Sequence, residues 1–151
     1  MSEAAPKPPA RSSSSATLRL ETVEGTRLRF GVRAGEQVFV LDSGPEAEGP
    51  SPVQAVQAAL GGCTAMDVIS ILRKKRQQVT AYEVEVLAER RTDQHPRIFT
   101  RLEIIHRVRG RGISPAAVAE AIELSDTKYC VVHAMLEPAV AIRSRFEITE
   151  E

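Results

Sequence analysis

Two cysteines, Cys63 and Cys130, are the residues of this 151-residue chain best suited to redox chemistry. The thiolate is the nucleophilic form of cysteine, and a second thiol nearby captures the sulfenic acid that an oxidant leaves on the first. Cys63 follows a glycine pair in GGCTAMDV, about twelve residues into an apolar stretch and too far from its start for the helix dipole to act. Asp67, one helical turn on, opposes a thiolate if it lies on the same side. A reactive Cys63 therefore needs positive charge from elsewhere, and the arginines of the N-terminal region, Arg27 and Arg29 among them, are the available source. The other reading is a core cysteine beside glycines that merely permit tight packing.

Cys130 sits in SDTKYCVVH. If Asp126 caps the helix that follows, the thiol lies in its first turn near Lys128, and both features favour thiolate. A buried cysteine beside Val131 and Val132 is the alternative. His133 is either a general base or a satisfied polar residue. Apart from Cys130 with His133, no close-spaced ligand pair of the CxxC or HExxH type occurs, so no metal and no bound cofactor is expected.

The elements that must position these residues centre on 51–78, SPVQAVQAALGGCTAMDVISILRKKRQQ, which reads as one long helix. Ser51 suits an N-cap and Pro52 the first helical position, where no N–H is needed. Val56, Leu60, Cys63, Met66, Ile69 and Leu72 recur near helical spacing, while Val68 and Ile71 widen the stripe, so burial on several sides is expected. Gln54, Gln57, Asp67 and Ser70 interrupt the run and argue against a membrane span. Arg73, Lys74, Lys75 and Arg76 read as cations complementing the helix end rather than a nucleic-acid patch.

Upstream, strands are expected at 17–23, 26–33 and 36–42, joined at Glu24-Gly25 and Ala34-Gly35 as an antiparallel meander. Downstream, alternation over 81–91 and 97–109 predicts a hairpin turning at 93–96. Ser114-Pro115 opens a second helix, a break at Ser125-Asp126 precedes a short third, and 139–149 closes the chain as a strand. The order β-β-β-α-β-β-α-α-β is an α+β fold. One domain is expected over 16–151, behind a disordered tail at 1–15 that has no signal-peptide core. So small a chain can hardly bury its apolar helix alone, which predicts dimerisation.

Basic and acidic residues balance at 20 each and there is no Trp. No global field or stacking platform recruits nucleic acid, and no membrane partner is expected. Two thiols without a secretion signal fit the cytoplasm.

At SPVQAVQAALGGCTAMDV and the later LSDTKYCVV, the sequence resembles the OsmC/Ohr family of osmotically inducible and organic-hydroperoxide-resistance proteins. ILRKKRQQV, the hairpin with AERR and RIFT, and the closing LEPAV are similar to its YhfA-type branch. The resemblance implies an OsmC-like fold, an intertwined homodimer with antiparallel sheets around long central helices. It also implies a peroxiredoxin-like cycle in which Cys63 attacks an organic hydroperoxide, Cys130 resolves the sulfenic acid to a disulfide, and an external dithiol such as a lipoylated protein reduces it. The hydroperoxide-resistance branch carries a glutamate after the helix-starting proline that holds an arginine over the thiolate. That position is Val53 here, with Gln54 next, and no motif singles out Arg27, Arg29 or Arg33. Val53 motivates the alternative function, a non-enzymatic dimer binding a small apolar ligand in the interface pocket near Cys63.

Overall fold

The computed structural model describes residues 12–151. The tail expected at 1–15 lies mostly outside them, and 12–15 are exposed without regular structure. The chain divides into two compact units between Pro52 and Val53.

The first unit holds the expected meander, β1 (Ala16–Leu20), β2 (Phe30–Ala34) and β3 (Gln37–Leu41), paired antiparallel in that order. Gly35 takes φ 61° in the β2–β3 turn, a region that glycine enters without a Cβ penalty. The strand expected at 26–33 begins only at Phe30. Ion pairing organises the preceding segment instead. Arg27 meets Asp42 at 3.3 Å and Glu48 at 3.2 Å, while Arg29 meets Glu48 at 2.6 Å and also pairs with Glu21.

The second unit contains α1 (Pro52–Lys74), β4 (Gln78–Arg90), β5 (Phe99–Arg111), α2 (Pro115–Leu124), a π-helical turn (Ser125–Tyr129), α3 (Val131–Leu136) and β6 (Ala141–Glu150). α1 stops at Lys74 rather than at 78, because Arg76 adopts φ 56° and Gln77 N–H bonds back to Leu72 O at 3.0 Å. β4 and β5 form the expected antiparallel hairpin, whereas β6 pairs with β5 in parallel and not in the expected antiparallel sense. The reason is topological: α2, the π turn and α3 carry the chain back between the two strands, the crossover that parallel pairing requires.

α1 presents Leu60, Thr64, Val68 and Leu72, one every four residues, as a fully buried stripe. Leu60 packs with Leu102, Ile104, Cys130 and Val140, whereas Val68 and Leu72 pack with Val108, Val118 and Ile122. Each such leucine stabilises the unit by about 1.5–3 kcal/mol. The chain itself buries this one face of α1 and not several, since Val56 is 36% and Met66 73% exposed on the others. By length and composition α1 could cross a membrane, but its buried stripe is built into this core.

Between the two apolar clusters runs a polar layer. Thr64 separates Leu60 from Val68 on α1, and His106 separates Ile104 from Val108 on β5; both are fully buried, as is Ser125. On the far face of the sheet Arg107 gathers Glu83, Glu85 and Glu147 at 2.7–3.2 Å. Ile105 lies buried on the same face.

Candidate functional site

Cys63 stands at mid-helix in α1, two residues after Gly61, where the helix lies close on β4. A Cβ at Gly61 would come within 3.0 Å of Val86 Cγ2. Gly62, by contrast, faces open space and lines a groove of about 390 Å³ with Gln57, Ala58, Gly61, Ala65, Val84 and Val86. Cys63 is half-buried beside it in the chain but is not part of that groove's lining.

Cys130 reaches the same place from the opposite side. The π turn spans Ser125 to Tyr129 and closes with Cys130 N–H donating to Ser125 O at 2.9 Å. Its two ends dock on α1 one turn apart. At one end the Ser125 hydroxyl donates to Asp67 Oδ2 at 3.1 Å and accepts from Thr64 Oγ1 at 3.0 Å. At the other, Cys130 is delivered to Cys63. The two sulfurs and an Asp67 carboxylate oxygen all lie within 4.8 Å of one another.

The electrostatics of Cys130 differ from the sequence expectation. Asp126 does not cap α3; Cys130 is itself the N-cap, its sulfur accepting from His133 N–H at 3.3 Å. That bond favours thiolate but is outweighed. Burial first, then the neighbouring Cys63 and the Asp67 charge, push the Cys130 thiol up to about 12. Cys130 therefore keeps its proton at neutral pH.

Of the other predicted residues, Asp67 is brought into the cluster. His133 is buried, with Nδ1 3.2 Å from Asp126 Oδ1 but off the line of a hydrogen bond, and it meets the site through its backbone N–H. Gln54 lies exposed in the first turn of α1. Arg27 and Arg29 belong to the first unit, where acids of that unit engage them. There Asp42 is held below the ordinary carboxylate range, chiefly by the Glu48 N–H and further by Ser43 N–H and Arg27.

Sequence reasoning missed Ser125, which holds Asp67, and Thr64, which bonds to Ser125. A signal existed: Thr64 is a polar residue four positions from both Leu60 and Val68 on a buried stripe, and such a residue needs a partner. It also missed that the Tyr82 hydroxyl and His106 Nδ1 share a hydrogen bond of 2.7 Å across β4 and β5. Burial lowers His106 to about 4, which keeps it neutral at pH 7.

The family model described as OsmC-like protein matches residues 44–145. The chain is 42% identical over 130 residues to protein YhfA of Escherichia coli strain K12, covering 86% of this chain and 96% of that one. Among solved structures, a hypothetical protein from Aquifex aeolicus superposes with TM-score 0.82 at 26% identity, over 93% of this chain and 99% of its own. The organic hydroperoxide resistance protein OhrB of Bacillus subtilis shares the fold at TM-score 0.60 and 15% identity, over 90% and 98%. The chain therefore belongs to the OsmC-like protein family.

Proposed function

We propose that this protein is a thiol-dependent peroxidase that reduces organic hydroperoxides through Cys63 and Cys130 as a cytoplasmic homodimer. The observation that carries the reading is the convergence of the two sulfurs within 4.8 Å, from helices far apart in sequence. Proteins of the same fold that are described as organic hydroperoxide resistance proteins support it. Half-buried Cys63 is the accessible sulfur and the attacking one; Cys130, 2% exposed, is the resolving one.

The Cys63 thiolate attacks the terminal peroxide oxygen, the O–O bond breaks, and the alkoxide leaves as an alcohol after taking a proton. Cys63 is then a sulfenic acid. Cys130 attacks its sulfur, its thiol proton leaves with the hydroxyl as water, and a disulfide forms before overoxidation. An external dithiol, free or carried on a lipoylated protein, returns both thiols and is itself oxidised.

The exposed apolar face of α1 is the surface on which a second copy packs in this reading. Stopped-flow mixing of the reduced protein with an alkyl hydroperoxide tests the activity. Thiol consumption well above that of free cysteine, abolished by Cys63→Ala, is expected; consumption no faster than free cysteine contradicts it. The groove at Gly61 and Gly62 favours one other reading, a binding protein for a small apolar ligand. Ligand-induced stabilisation that persists in Cys63→Ala, without peroxide consumption by the native protein, identifies that alternative.

A further inference from the structure

Linear spacing offers no metal motif, yet the fold assembles a ligand set through space. Cys63 and Asp67 stand four residues apart and so on one side of α1, the separation at which two helical side chains reach one ion. Cys130 supplies a third ligand from the mouth of α3, and the three donor atoms lie within 4.8 Å of one another. A tetrahedral zinc, with bonds of about 2.3 Å to sulfur and 2.0–2.2 Å to oxygen, spaces its ligand atoms by roughly 3.3–3.8 Å, inside that limit.

The supporting contacts are those a metal site uses to fix its ligands. Ser125 holds one oxygen of Asp67 at 3.1 Å and is itself bonded to Thr64. The His133 N–H holds the Cys130 sulfur at 3.3 Å. Leu60, Leu102, Ile104 and Val140 enclose the Cys130 side in an apolar shell. Outer hydrogen bonds and a dry wall of this kind orient ligands and strengthen binding. Cys63 is only half-buried, so the cluster is not sealed from solvent on that side. Two thiolates with one carboxylate select a soft or borderline ion over magnesium or calcium.

We propose that Cys63, Cys130 and Asp67 form a binding site for a thiophilic divalent cation of the zinc type, which competes with oxidation of the same thiol pair. Binding replaces the two thiol protons by one metal ion and leaves the thiols reduced. Disulfide formation consumes both sulfur ligands and releases the ion. The site uses the sulfurs of the proposed peroxidase but does not rest on peroxide chemistry.

The test begins with reduced, metal-free protein titrated with cobalt(II) alone. One cobalt per chain is expected, with a thiolate-to-cobalt charge-transfer band and the d–d pattern of a tetrahedral ion, both bleached by zinc. Absence of the band in the native protein overturns the site, and no variant needs to fold for that result. Zinc affinity is then measured by competition with a chromophoric chelator. Asp67→Asn and Cys130→Ser should each weaken it by more than about 10-fold, and Ser125→Ala by about 10-fold through loss of Asp67 orientation. Affinity unchanged by Asp67→Asn and Cys130→Ser overturns the assignment. Peroxide consumption by the same metal-free sample separates the two claims. Peroxide turnover without a cobalt band removes the metal site and leaves the peroxidase; a band without turnover supports the metal site and removes the peroxidase.

Discussion

His106 makes the fold sensitive to acid at a single position. Its ring is wholly buried in the middle of β5 and hydrogen-bonds the Tyr82 hydroxyl through Nδ1, in a place where burial disfavours the charged form. Burial lowers it to about 4 from the ordinary 6.5. Because the unfolded chain binds this proton first, the contribution is fully present above pH 6.5 and is lost as pH falls from there to about 4. At about 1.4 kcal/mol per unit, the loss amounts to roughly 3 kcal/mol. Urea unfolding of the wild type and His106→Leu should show it. The variant is less stable at pH 7, since the buried Tyr82 hydroxyl loses its hydrogen-bond partner, and its deficit shrinks by about that amount at pH 4. A deficit independent of pH contradicts the neutral buried histidine.

At the scale of the element, the two glycines of α1 have opposite jobs. Gly61→Ala places a methyl 3.0 Å from the stiff Val86 side chain, an overpacking cost of about 1–3 kcal/mol that exceeds the helix gain of about 1 kcal/mol. Gly62→Ala meets nothing within 4 Å of the new carbon and should keep that gain. Chemical denaturation of the two variants at one low protein concentration is expected to move their midpoints in opposite directions. Equal shifts contradict the placement of α1 on β4. The double glycine was visible as an anomaly in the sequence, but which of the pair faced a neighbour was not, since periodicity cannot rank adjacent residues of a helix with apolar residues on several sides. Strand alternation read more clearly: Tyr82, Val84, Val86 and Ala88 do share the inner face. The helix start at Pro52 and the Ser114 cap, whose hydroxyl accepts from Ala117 N–H at 3.2 Å, also follow from local chemistry. The π turn was legible only as a break at Ser125, because an i→i+5 bond has no residue signature. That turn makes Cys130 the N-cap of α3, so its electrostatics are not legible from the chain alone.

For the molecule as a whole, the over-apolar α1 pointed to a partner, and the structure leaves Met66 largely exposed upon it. The proposed homodimer makes a specific demand there. Met66→Lys should shift the protein from dimer to monomer in analytical ultracentrifugation while the far-UV spectrum stays native. An unchanged dimer excludes this face from the interface. What the sequence carried well was order, from meander through helix, hairpin and helix pair to closing strand, because each boundary has its own turn or capping residues. Through-space relations were beyond it. The parallel β5–β6 pairing and the meeting of Cys63, Asp67 and Cys130 depend on how elements return to one another. The resemblance of two separated cysteine motifs implied the pairing of Cys63 with Cys130, and the structure brings the two sulfurs within 4.8 Å of each other. The most direct test treats the reduced protein with one equivalent of alkyl hydroperoxide and maps the thiols by non-reducing peptide mass spectrometry. A Cys63–Cys130 disulfide within each chain is expected, formed as the peroxide becomes alcohol. Two free cysteines, or Cys63 driven to higher acids with Cys130 untouched, would contradict it.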